Sequence, residues 1–387
     1  MSSSIIQNFL NSTSTSGVSR RGFIAGSAML AGLGLALGTV RTSWADSAKA
    51  EDAKADGEKA AEGEAGSDEA AEAQTFDPAD PQTIYVPASW VKQVVDGEVA
   101  PEGGVVILEV AWGEEADDKN YQEGHVPGAV HMNTDYIEAE EYWNFRTPEE
   151  IEQVCAKYGI TKDTTVICYA NKGTNSADDR VALVMLWAGV DNVKCLDGGM
   201  AAWTEAGYEV ETESNAPVAT EEPFGVEIPA RPELVISIEE TKDRLANDPN
   251  FKLVSIRSYD EFCGVTSGYS YIDVAGEPKG AIWGHDTDDG TYCNEDGTTK
   301  GIDAIKEVLA ESGKELDEDT AFYCGTGWRA AIPVLICYQY GLSTMLYDGG
   351  WFQWQLDPEN EVQVGDPATG DVVYTTVGEL ETGKAAK

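Results

Sequence analysis

LDGGMAAW at residues 196–203 and YDGGWFQW at residues 347–354 carry one pattern, D-G-G-x-x-x-W, and what precedes the first also precedes the second. Upstream of residue 196 lie an apolar run at 105–110, a helix-like segment at 148–154, TVICY at 165–169 and an apolar helical stretch at 180–187. Upstream of residue 347 the order returns: KLVSIRS at 252–258, a helical pattern at 302–311, TAFY at 320–323 and a helical stretch at 330–340. Short apolar runs bounded by turn residues read as buried strands, and their alternation with helices implies a parallel sheet covered on both faces. A repeated order of elements marks a duplication. The expected fold class is α/β, with two tandem domains, each a parallel sheet flanked by helices. Residues 83–213 make the first domain and 233–362 the second. Residues 214–232, with Pro217, Pro223, Pro229 and Pro232, are the linker, and 363–387 a polar tail that adds no third domain.

The 387-residue chain carries 26 basic and 69 acidic side chains, a formal charge of -43. Such a surface repels polyanions, which argues against nucleic acid and anionic membrane surfaces as partners. An anionic small substrate would meet the same field, so its site must bring local donors: backbone N–H groups, a helix N-terminus or a buried arginine. Residues 1–45 read as a targeting segment. Arg20 and Arg21 precede a Gly/Ala/Leu-rich stretch at 25–40, and Ser43-Trp44-Ala45 offers the small residues that signal peptidase reads. The segment is similar to a twin-arginine signal, which implies the twin-arginine export machinery as a partner. It also implies a periplasmic or other extracytoplasmic location, with membrane retention if the signal stays uncut. Residues 46–82, rich in Ala, Glu, Asp, Lys and Gly, lack the apolar side chains needed to offset chain entropy and read as a disordered acidic linker.

Seven cysteines, at 155, 168, 195, 263, 293, 324 and 337, leave at least one free thiol however the others pair. They form no C-x-x-C pair. His125, His131 and His285 have no cysteine or carboxylate at ligand spacing, so neither a metal nor a cofactor is expected. Cys324 stands apart: FYCGTGWRAA, residues 322–331, sets it after a strand and before two glycines, with Arg329 five positions on. Loops of this kind expose a thiol. Inward N–H groups leading into a helix N-terminus stabilise a thiolate. Gly325 and Gly327 let the backbone curl, so that the amides of residues 325–329 converge on sulfur. Aligning the halves on their second strands sets Ala170 opposite Cys324, so the first domain is expected to be inactive and Cys168, inside its strand, a buried core thiol.

GHVPGA at residues 124–129 resembles the G-H-x-P-G-A turn of rhodanese domains. The D-G-G-x-x-x-W endings fit the same family, and CGTGWRA at 324–330 is similar to its C-x-x-G-x-R-[SA] active loop. These motifs cover nearly all of residues 83–362. With TSGYSYI at 266–272, the second half looks closest to exported multidomain thiosulfate sulfurtransferases. The resemblance implies that Cys324 attacks the sulfane sulfur of thiosulfate, carries it as a persulfide and yields it to cyanide, a dithiol or a protein acceptor. It makes Arg329 and Arg257 the substrate-binding arginines, with Gly325, Thr326, Gly327 and Trp328 forming the loop. Trp328 either walls the pocket or packs against the first domain. Two positions depart from the family: Ser255 stands where L-V-D-x-R has its aspartate, and GEPKGA at 276–281 replaces the histidine turn in the second half.

A phosphatase or arsenate reductase also holds an oxyanion in a cysteine-to-arginine loop. That loop is one residue longer than the span from Cys324 to Arg329, which argues against it. A non-enzymatic sulfur carrier or redox-sensing module, and a 3-mercaptopyruvate sulfurtransferase, remain the alternatives.

Overall fold

In the computed structural model the described residues are 76–139, 141–171 and 176–386. The expected targeting segment and residues 46–75 of the acidic linker lie outside them.

The first domain runs β1 (Tyr85–Val86), α1 (Ala88–Val95), β2 (Val105–Ala111), α2 (Lys119–Glu123), β3 (Val130–Asn133), α3 (Pro148–Lys157), β4 (Thr165–Ala170), α4 (Ala177–Ala188), β5 (Asn192–Leu196) and α5 (Gly199–Glu205). Its strands lie in the order β1-β5-β4-β2-β3, every pair parallel. The second domain runs β6 (Val235–Ile236), α6 (Ile238–Asn247), β7 (Lys252–Ser255), α7 (Tyr259–Phe262), β8 (Glu277–Pro278), β9 (Ile282–Trp283), α8 (Ile302–Glu311), β10 (Thr320–Tyr323), α9 (Trp328–Gln339), β11 (Met345–Tyr347) and α10 (Gly350–Trp354). The order β6-β11-β10-β7-β9, again all parallel, repeats the first sheet strand for strand. The duplication read in the sequence is therefore a duplication of topology.

Central strands are apolar on both faces because both faces are covered: all six residues of β4 are buried. Helix starts follow local chemistry. Thr147 caps α3 in a reciprocal capping box with Glu150, and Pro148 sits at the first helical position, where its missing N–H costs nothing. Helix α4 has all twelve residues buried. It packs on its own sheet and on α9 of the other domain, and one apolar core runs through both halves. Separate clusters line the outer face of each sheet.

The expected polar tail turns out to be folded. Strands β12 (Glu361–Asp366) and β13 (Asp371–Thr376) form a hairpin, and β12 pairs antiparallel with β8. Val362 and Val377 enter the second domain's outer core, which is why a segment of largely polar composition holds to this surface. The linker also lies on the protein, with the Lys162 amide donating to the Phe224 carbonyl at 2.8 Å and Arg231 Nη1 to the Leu186 carbonyl at 2.8 Å. All seven cysteines are free thiols.

Candidate active site

Strand β10 stops at Tyr323, residues 324–327 form the loop, and α9 starts at Trp328. Gly327 caps the helix with φ +86°, a left-handed conformation that costs an ordinary residue about 1 kcal/mol or more. Its amide donates to Cys324 Sγ at 3.2 Å, so the sulfur lies at the N-terminus of a twelve-residue helix, where partial positive charge favours an anion. From below, the first-turn amides of α10 hold the loop: Trp351 N–H bonds the Cys324 carbonyl at 2.8 Å and Phe352 N–H the Gly325 carbonyl at 3.0 Å. This is what the D-G-G-x-x-x-W repeat does. A Cβ on Gly350 would stand 2.6 Å from the Cys324 oxygen, and in the first domain a Cβ on Gly199 would stand 2.6 Å from the Ala170 oxygen. The match puts Ala170 in the place of Cys324.

Two expectations about the loop need correction. Cys324 is 1 % exposed rather than presented to solvent, since the loop is covered by the first domain and by α10. Among the described residues, Gly327 supplies the backbone amide that donates to the sulfur, not a ring of amides from 325 to 329. The glycines are needed for a reason the sequence did not show. A Cβ on Gly325 would lie 1.9 Å from the Tyr269 hydroxyl, and one on Gly327 would lie 2.5 Å from Arg180 Nη1 of the first domain.

The two arginines expected to bind substrate are occupied. Arg329 grips Glu261 with two parallel bonds at 3.0 Å, reaches Asp286 at 2.8 Å and donates to the Tyr269 hydroxyl at 3.0 Å. Arg257 is fully buried and bonds Glu277 at 2.7 Å, Glu261 at 3.3 Å and the carbonyls of Ser267 and Gly276 at 2.7 and 3.0 Å. Charge-assisted bonds of this number and geometry make both residues the frame beneath the loop, not free cations facing a ligand. Burial alone would raise the Glu261 carboxyl, but Arg329 and Arg257 outweigh it and hold it down at about 2. Burial pushes Glu277 up to about 7 against the pull of Arg257. Glu277 stands where the first domain has His125, so the departure from the histidine turn is the partner of Arg257. His125 itself is buried, stacked on Tyr121 and bonded to its carbonyl at 2.8 Å.

Trp328 faces the first domain, its indole N–H donating to the Glu138 carboxylate at 3.1 and 3.2 Å. Asp348, of the second D-G-G, accepts from the Phe145 amide at 2.7 Å and lies 2.6 Å from Arg180 Nη2. Glu138 and Arg180, and the part Asp348 of the D-G-G motif plays with them, escaped the sequence reading because their meeting depends on how the domains dock. The fold also gathers Glu109, Asp118 and His131, whose ligand atoms lie within 4.8 Å of one another. Both imidazole nitrogens are bonded, Nδ1 to Glu109 at 2.7 Å and Nε2 to the Gly113 carbonyl at 2.9 Å. A carbonyl can only accept, so the arrangement suits an imidazolium–carboxylate pair. Burial lowers His131, yet Glu109 and the carbonyl outweigh it and raise the ring above its usual range.

The Rhodanese-like domain family matches this chain twice, over residues 96–206 and 237–357. Thiosulfate sulfurtransferase YnjE of Escherichia coli (strain K12) is 40 % identical over 285 residues, covering 72 % of this chain and 64 % of the relative; the chain thus spans less than two thirds of that protein's length. Thiosulfate/3-mercaptopyruvate sulfurtransferase 2 of Arabidopsis thaliana is 28 % identical over 291 residues, 66 % of this chain and 81 % of the relative. The crystal structure of YnjE superposes with a TM-score of 0.66 at 39 % identity, over 74 % of this chain and 68 % of that one. A structure of an EanB variant, with a cysteine persulfide in a tetrahedral intermediate state with ergothioneine, gives a TM-score of 0.67 at 34 % identity, over 74 % and 71 %.

Proposed function

The chain belongs to the rhodanese-like family, and from that premise we propose that it is a sulfurtransferase which moves sulfane sulfur from thiosulfate to a thiophilic acceptor through a persulfide on Cys324. The observation that carries the reading is the Gly327 amide on Cys324 Sγ at the mouth of α9. In the first step the Cys324 thiolate attacks the outer sulfur of thiosulfate, the sulfur–sulfur bond breaks and sulfite leaves with the electron pair. The outer sulfur stays on the enzyme as a terminal anion beside the Gly327 N–H and the helix terminus. In the second step a nucleophile such as cyanide attacks that sulfur, the cysteine thiolate departs, and thiocyanate is released. Dividing the transfer in two needs one nucleophile, stabilised as an anion in both states.

The enclosure of Cys324 keeps its sulfur out of bulk water. The acceptor class covers cyanide, a dithiol or a protein thiol. Arg20-Arg21 and the apolar stretch behind them support export by the twin-arginine machinery to the periplasm or another extracytoplasmic space. Thiocyanate formation from thiosulfate and cyanide, compared with Cys324→Ser, tests the reading. Turnover should vanish in the variant, and the wild-type protein should gain one sulfur atom at Cys324 by mass. Turnover retained in the variant overturns the assignment, loading without turnover points to a carrier, and faster loading from 3-mercaptopyruvate reassigns the donor.

A further inference from the structure

Sulfur transfer from thiosulfate needs a cation for the donor's oxygens; both terminal nitrogens of Arg329 and of Arg257 are already hydrogen-bonded, whereas Arg180, though paired with Asp348 and Glu138, keeps Nη1 unbonded. Building on the sulfurtransferase reading, we infer that Arg180, carried by the domain without the thiol, binds the oxyanion end of the sulfur donor while Cys324 takes its outer sulfur. Arg180 lies in the first turn of α4 and is fully buried. Its Nη2 donates to the Trp143 carbonyl at 2.8 Å and lies 2.6 Å from Asp348 Oδ1, outside hydrogen-bonding geometry. Its Nε and Nη1 have no hydrogen-bond partner among the described residues. Glu138 Oε2 is 3.6 Å from Nε and is engaged by the Trp328 indole, while the Phe145 ring covers one face of the guanidinium at 4.3 Å.

The unbonded Nη1 adjoins the cysteine loop. It lies 2.5 Å from the point where a Cβ on Gly327 would stand, and Gly327 is the residue whose amide donates to the sulfur. In the same loop Thr326 Oγ1 is also buried without a partner. A guanidinium nitrogen from one domain thus adjoins the residue that donates to the sulfur, and a hydroxyl of the same loop is likewise without a hydrogen bond among the described residues. Buried polar groups are nearly always satisfied in folded proteins, and a guanidinium fork matches the paired oxygens of a sulfonate. When sulfite leaves, negative charge grows on those oxygens, and a preorganised cation there favours departure.

Charge, rather than packing, should be what Arg180 contributes, and two alkylating agents differing in charge can read it. Iodoacetate and iodoacetamide both transfer their carbon to Cys324 with loss of iodide, but only the first carries an oxyanion. On the wild-type protein the iodoacetate-to-iodoacetamide rate ratio at Cys324, measured by peptide mass, should exceed that of Arg180→Met about tenfold or more. Thiosulfate loading should fall by at least as much in the variant. Arg180→Lys should restore part of both, whereas a purely structural role would lower the two alkylation rates together. Thr326→Val removes a hydroxyl that has no partner, so it preserves the fold, and it should lower the ratio a few-fold. If Arg180→Met does not fold, protection of wild-type Cys324 from iodoacetamide by inorganic sulfate stands in its place, with loss of protection in Thr326→Val. An unchanged ratio in the variants, or no protection by sulfate, overturns the inference and leaves the enzyme reading intact if thiosulfate still loads Cys324. Failure of the wild-type protein to load from thiosulfate instead overturns the enzyme reading.

Discussion

The two domains share a strand order, a D-G-G turn and a helix springing from a left-handed residue, Ser176 at φ 71° in one and Gly327 at φ 86° in the other. They part at the first helical turn. Asp178 and Asp179 follow the cap in the first domain, Arg329 and Ala330 in the second. Burial pushes the Asp178 and Asp197 carboxyls up to about 6 and raises Asp179 well above the usual carboxylate range, with Tyr85 and Thr299 as hydrogen-bond donors. Burial and then the neighbouring aspartates also drive the Cys168 and Cys195 thiols well above the usual thiol range. In the second domain each buried carboxylate near the loop meets an arginine. One backbone thus serves two electrostatic regimes, and a thiolate is compatible with only one of them.

Moving the thiol is the largest test of that contrast. Ala170→Cys in a Cys324→Ser background should stay at least about a thousandfold below the wild-type rate of thiocyanate formation, because acidic surroundings hold a thiol protonated. A rate within tenfold of wild type would break the comparison. Next comes Arg257→Met, which strands Glu277 in the interior and should cost about 3–5 kcal/mol in urea unfolding. The double variant Arg257→Met/Glu277→Gln should recover part of that loss. Gly327→Ala should cost about 2 kcal/mol through its left-handed φ and the approach of Arg180, while Ser176→Gly should change stability by less than about 1 kcal/mol.

The smallest effect is in pH. Asp197 is raised in the folded state from 3.8 to about 6, so the fold binds that proton more tightly and gains stability as pH falls from 7 through 6 toward 4. Asp197→Asn should remove about 1 kcal/mol of that gain, seen as a smaller rise in melting temperature between pH 7 and pH 5. Glu261 runs the other way. Lowered from 4.5 to about 2, it contributes fully above 4.5 and loses its contribution as pH drops toward 2. Melting curves of Glu261→Gln should therefore differ most from wild type above pH 4.5.

Periodicity made the sheets legible, because buried parallel strands must be apolar on both faces and their order repeats. The cysteine loop was legible too, since a cysteine between a strand and two glycines stands out from the six others. The frame was not. Arg329 looked like a ligand-binding cation because Glu261 and Asp286 lie 68 and 43 residues away in sequence, and Arg257 because its partner Glu277 lies 20 away; only the fold joins them. Of the interdomain set, Trp328 and Asp348 lay inside quoted motifs, but Glu138 and Arg180 carry no local signature, as each reads as an ordinary charge until the halves meet. The terminal hairpin was hidden because its short runs, EVQV at 361–364 and VVY at 372–374, are broken by polar and glycine residues and gain a place only against β8.

Helix α4 shows no face to water, and part of what hides it is α9 of the other domain. A gene cut at the linker would yield two fragments, each with an oily rod laid bare and bound to clump. The half without the loop thiol is thereby kept under selection for shape, and neither copy can be inherited alone.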